Sequence, residues 1–247
     1  MRNIWVIAKR EYDQYFVSPV AYMIMFAIYL VIGIFFYLNM SFAFAQMQYA
    51  PTVQITLAPL ATLLVLAIPA VTTRLLAEEQ RLGTIELLLT APVRDWELVL
   101  GKWLGAFLLA LTILAFTLIF PIILNNLVDP GIDQGLLISG YLGLVLLAAV
   151  FTAVGVFVSS LFHNQIAAFA ASMGAVVFLW WVVGPVAQVL GATSAVGRFF
   201  SYIDLSNHYF SGFLSGVIDL SQVIFAVSLT ALALFGASMV LEVRRWR

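Results

Sequence analysis

Few side chains in this chain could do chemistry, so the first question is whether their spacing completes a reaction. Glu78-Glu79 and the two histidines, His163 and His208, are the residue types that hold a hydrolytic zinc ion, which takes three protein ligands and keeps a fourth position open. The spacing fails. An E-E-x-x-x-R pattern would need Arg where Gly83 stands, and His163 lacks the H-E-x-x-H spacing that puts two ligands on one helix face. Gly101-Lys102 has the ending of a phosphate-binding loop, but Trp103 follows it and the earlier glycine is missing, so no backbone cradle for phosphates forms. No G-x-S-G serine pattern occurs. With no cysteine, thiolate metal sites and disulfides are excluded. The chain therefore has no means of hydrolysing ATP alone.

The elements that carry these residues are apolar. Hydrophobic types make up 64% of the chain and charged ones 9%, against roughly 25% charged in an ordinary soluble domain. A membrane crossing takes about 20 predominantly apolar residues. Runs of that kind predict six spans, at 20–40, 56–73, 103–128, 136–161, 166–190 and 220–241. Asp129-Pro130-Gly131 with Asp133 marks one turn and 162–165 another. The expected fold is all-α, one polytopic transmembrane domain over 1–247. A net charge of −1 says nothing about nucleic-acid or acidic partners, and no nucleic acid is expected as a partner.

Basic residues orient the spans, because Lys and Arg are retained on the cytoplasmic side of short loops. Arg2, Lys9 and Arg10 precede the first span, Arg74, Arg81, Arg94 and Lys102 separate the second from the third, and Arg244, Arg245 and Arg247 follow the sixth. Six crossings put all three groups on one side, with Arg198 alone opposite. Both termini are thus expected in the cytoplasm. Residues 1–19 read as an interfacial helix, with Trp5, Ala8, Tyr12 and Tyr15-Phe16 on the apolar face. Ser18 is placed to cap the first span, and Pro19 is tolerated in its first turn.

The stretch 74–102 holds nine of the chain's twenty-three Lys, Arg, Asp and Glu residues. Its first part continues the second span into water, and Gly83 suits a left-handed helix end. Thr84 can cap a short helix over 85–89 that carries Glu86 near its start, where the helix dipole favours an acid. Ile85, Leu87, Leu88 and Leu89 are costly to leave exposed and should pack on the bundle or on a partner. Ala91-Pro92 ends that helix, and Asp95 can cap the next.

Taken together, Glu78-Glu79, the run Gly83-Thr84-Ile85-Glu86-Leu87-Leu88-Leu89-Thr90-Ala91-Pro92 and Gly101-Lys102 resemble the cytoplasmic loop of ABC-2 type transporter permeases. The likeness covers nearly the whole chain, and 206–219 (SNHYFSGFLSGVID) looks most like the permease subunits of the gliding-motility type. The resemblance implies a type V exporter-like fold. It implies that 74–102 is a coupling loop gripped by a cytosolic ATPase, with ATP and Mg on that partner and no cofactor on this chain. Gly83, Thr84, Glu86, Leu87, Thr90 and Pro92 would carry the coupling, with Glu78 and Glu79 as polar contacts to the ATPase. It implies a second permease copy or a paralogue across the translocation path, and it leaves room for an extracytoplasmic accessory protein. The setting is the prokaryotic cytoplasmic membrane, the expected direction export, and an amphipathic or polymeric cargo the expected substrate.

The same resemblance makes 191–219 an external re-entrant segment, with Phe199, Tyr202, His208, Tyr209 and Phe213 as its gate. Without it, that segment reads as an interfacial loop anchored by aromatics. Two other functions stay open on the residues: an intramembrane protease, and an ion-coupled carrier, which would need ionisable groups inside the spans. The polar groups within the spans, among them Thr62, Thr112, Thr117, Thr152, Ser172 and Gln188, suit hydrogen bonds between helices. Gly101 with Gly105, and Gly212 with Gly216, have the spacing of close helix contacts.

Overall fold

The computed structural model describes residues 2–46, 51–83, 94–191 and 194–245, and all regular structure among them is helical. The helices are α1 (Arg2–Val17), α2 (Pro19–Gln46), α3 (Gln54–Thr72), α4 (Arg74–Leu82), α5 (Asp95–Thr117), α6 (Ile119–Leu127), α7 (Gln134–Leu161), α8 (Gln165–Val177), α9 (Val183–Leu190), α10 (Ala195–Ile203) and α11 (Leu220–Arg245). Among the described residues, six stretches are long and apolar enough to cross a membrane: Pro19–Ala43, Gln54–Leu82, Asp95–Leu127, Gln134–Leu161, Gln165–Leu190 and Leu220–Arg244. The fourth, α7, is 72% buried against 56% for the next, so the bundle is built around it.

The second and third spans run further toward the charged loop than hydropathy predicts. A helix does not stop where its apolar residues stop, because its backbone hydrogen-bond ladder continues through Arg74–Leu82 and from Asp95 onward. One correction follows: Lys102 lies in the eighth position of α5, within the packed bundle and away from the loop.

Helix ends follow local side-chain chemistry. Ser18 Oγ accepts from the Val20 N–H at 3.3 Å, Asp133 from Gly135 and Leu136 at 2.8 and 3.2 Å, and Asn164 from Ile166 at 2.8 Å. Gly83 ends α4 at φ 70°, the left-handed conformation that glycine adopts without a Cβ penalty. The expected Asp95 cap is displaced by one residue. Glu97 reaches back and accepts the Arg94 N–H at 3.2 Å, so Arg94 is the cap and Asp95 already belongs to the first turn.

After α10 the chain makes one helical turn (Leu205–Asn207), a wide π turn (His208–Gly212) and a tight turn (Phe213–Ser215) before α11. A second wide turn, Phe178–Val182, joins α8 to α9. The two meet, with the Trp180 ring 6.2 Å from Tyr209 and 5.6 Å from Phe210. Tyr209 and Phe213 press into α7 at Gly143, where a Cβ would fall 2.6 Å from that of Phe213. Tyr209 also donates to the Leu57 carbonyl at 3.3 Å. Of the pair with close-contact spacing, Gly212 lies tight against Gln222 of α11, whereas Gly216 takes a left-handed conformation and ends the tight turn.

The polar groups of the spans divide. Thr117 shares a hydrogen bond with Tyr141 and Thr112 with Tyr12, linking elements. Thr62 and Thr152 only donate back to carbonyls four residues earlier, a local bond within the helix that Thr112 and Thr117 make as well.

Candidate functional site

The N-terminal helix does not float beside the bundle. Its inward face is Ala8, Glu11 and Tyr15, flanked by Ile7 and Tyr12, while Trp5 on the predicted apolar face is 57% exposed. The sequence analysis left the acid unplaced: Glu11 stands in the i, i+3, i+7 stripe with Ala8 and Tyr15. What receives this face is the Gly101 and Gly105 row of α5. A Cβ at Gly101 would fall 2.7 Å from Ile7 Cβ, and one at Gly105 would fall 2.6 Å from Glu11 Cβ and 3.0 Å from the Ala8 carbonyl. The backbones approach because both positions lack a side chain.

That approach encloses a charge cluster. Lys102 Nζ lies 2.8 Å from Glu11 Oε1 and 2.8 Å from Glu79 Oε1, with the lysine side chain 1% exposed. Each ion loses several kcal/mol of hydration on burial, and only direct pairing in this confined space offsets it. Glu11 belongs to α1, Glu79 to α4 and Lys102 to α5, so one ammonium ties three helices together. Arg10 is within electrostatic reach of Glu79, and the Arg74 guanidinium lies 4.2 Å over the Tyr15 ring. Burial pushes the Tyr15 hydroxyl's pKa up, so it stays a protonated donor, bonding to the Val71 carbonyl at 3.1 Å.

A second clamp holds α4 from the other side. The span continues from α3 into α4 through a turn at Thr73, and Ser159 of α7 bonds to the backbone on both sides of that turn. Its hydroxyl accepts from Leu76 and Ala77 at 3.2 and 3.0 Å and donates to the Thr73 carbonyl at 2.9 Å. Gln80 donates to the Ser160 carbonyl at 3.1 Å. Nothing in these contacts performs a reaction. They fix the base of the 84–93 stretch to α1, α5 and α7 at once.

The residues expected to couple to a partner divide accordingly. Gly83 ends α4, Glu78 is half-buried, and Glu79 faces inward onto Lys102. Thr84, Glu86, Leu87, Thr90 and Pro92 lie outside the described residues. The aromatics expected to form the gate do not make one cluster. Tyr209 and Phe213 are buried, Phe199 and Tyr202 are exposed, and His208 lies between, its ring stacked on Phe225 at 4.7 Å and its Nε2 2.8 Å from the Tyr202 carbonyl. Among the described residues no group of three His, Asp or Glu could hold a metal ion.

The family model for ABC-2 family transporter proteins matches residues 5–241. The chain belongs to the ABC-2 transporter family. No curated protein matches it. As an ABC-2 protein with six apolar helices, it is a multi-pass membrane component of a transporter. Glu11 and Ser159 escaped the sequence reading of this ABC-2 chain, and Tyr15 and Lys102 were named there without these partners, which exist only once the helices are assembled.

Proposed function

We propose that this ABC-2 protein is the permease subunit of an ATP-driven exporter, with both termini in the cytoplasm of a prokaryotic cell and a separate ATPase seated on 84–93. The observation that carries this reading is the double clamp at the base of that stretch. A push delivered there reaches α4, α5, α1 and α7 through ion pairs and hydrogen bonds, with little slack to absorb it. In this reading Gly83, Thr84, Glu86, Leu87, Thr90 and Pro92 are the docking set, and Glu78 is the glutamate left to meet the ATPase. The working unit is a dimer with a second copy or a paralogue, and the buried pair Tyr209 and Phe213 anchors an outer gate whose rim is Phe199, Tyr202 and His208. The 206–219 run favours the gliding-motility type, and a largely uncharged interior favours an amphipathic or polymeric cargo.

Copurification tests the partner, and substitution tests the loop. An ATPase should copurify with the chain from its native host. Gly83→Val and Glu86→Lys should abolish transport while the ATPase still turns over ATP and the chain still inserts. Normal transport by both variants would remove the coupling role, and cleavage of a membrane peptide by the isolated chain would replace the reading with an enzymatic one.

A further inference from the structure

We propose that a groove between α5, α7 and α11 is a binding site for one acyl chain of a membrane phospholipid. The groove encloses about 450 Å³, within the range of small-ligand pockets. Its lining is almost wholly apolar, with Trp96 and Ser238 toward one end, Leu146 and Val227 toward the other, and Trp103 and Ala149 between. Trp103 stacks flat on Phe107, with ring centroids 5.2 Å apart and planes 5° from parallel, and so presents a smooth wall.

Beyond Trp96 at the mouth, the polar side chains of the lining are already engaged. The Trp103 indole N–H donates to the Ala149 carbonyl at 3.2 Å, Thr230 to Ala226 at 2.8 Å and Ser238 to Phe235 at 2.8 Å. Past Trp96, a polar ligand would find no free N–H or O–H donor. Water is equally unsuited, since an ordered water needs two to four polar partners.

Length separates the two apolar occupants a membrane can supply. From Val227 to Ser238 along α11 the groove runs about 16 Å at the helical rise, close to half of the roughly 30 Å hydrocarbon core. A transmembrane helix of a second copy would continue across the whole core and is about 10 Å wide; a fatty chain belongs to one leaflet and ends at its midplane. At the mouth, Trp96 is 43% exposed and follows Arg94, an aromatic and a cation at the level where headgroups lie. The occupant is therefore a lipid tail from the leaflet on the side of the charged loop. The ATPase reading is not needed for this site.

The test uses the full chain in phosphatidylethanolamine and phosphatidylglycerol vesicles containing a trace of phosphatidylcholine with a diazirine midway along one acyl chain. After illumination, label should concentrate on α5 and α11 groove peptides relative to the exposed α2 face around Phe26 and Tyr37. Ala231→Trp or Ala149→Phe, which fill the groove from opposite walls, should each lower the groove label about tenfold and leave the α2 label unchanged. A misfolded variant would change both, and the wild-type ratio of groove to α2 label decides the matter without any variant. Equal labelling of groove and α2 in the wild type would overturn the proposal. So would efficient disulfide formation between two copies of Ala231→Cys in the same vesicles, because the occupant would then be a second chain.

Discussion

Removing the Lys102 amine would leave Glu11 and Glu79 enclosed and facing each other without the cation that holds them. Breaking a buried pair in this way costs about 3–5 kcal/mol, whereas neutralising every member is often close to neutral. Lys102→Ala should therefore lower the melting temperature of the purified protein sharply. The triple change Glu11→Gln, Glu79→Gln, Lys102→Met should recover most of that loss. If Lys102→Ala melts like the wild type, the cluster is not holding the three helices. The two measurements also separate stability from transmission, since the triple variant keeps the helices packed while loosening the tie from α4 to α5. Impaired transport in a stable triple variant would locate transmission in the ion pairs themselves.

At the level of elements, the seat of α1 depends on the absence of two side chains from α5. Gly105→Leu would drive a side chain into the Glu11 Cβ and the Ala8 carbonyl, an overpacking that costs roughly 1–3 kcal/mol. The simplest relief is for α1 to lift away from α5. Amide exchange over α1 should then accelerate strongly while α7 stays protected; unchanged exchange in α1 would show that its docking rests on other contacts. Much of this element was legible beforehand. The helical repeat of residues 1–19, the Gly101 and Gly105 spacing, the Ser18 cap and the left-handed Gly83 all follow from local rules. The direction in which α1 faces was not legible, because a buried Glu11 becomes affordable only when a lysine from far along the chain stands opposite. Ser159 was hidden for the same reason: its role exists only where two separate helices meet.

Across the whole molecule, six apolar runs and their flanking charges were enough to predict an all-helical membrane bundle. They could not reveal that α7 lies at its centre, since all six spans are about equally apolar and burial depends on neighbours. The cysteine-free chain makes sidedness easy to measure. Asn207→Cys should react with an impermeant maleimide on intact cells, and Arg81→Cys only after the membrane is opened. The reverse pattern would invert the orientation, and labelling of both from outside would break the six-span arrangement. The wide turns at Phe178–Val182 and His208–Gly212 lie opposite each other, with Trp180 touching Tyr209 and Phe210. A π turn holds one residue more than an α turn, and expelling that residue swivels the downstream chain by about 100° while advancing it only ~1.5 Å. Because the rings of the two turns interlock, a one-residue shift in either would have to displace the aromatic rings of the other.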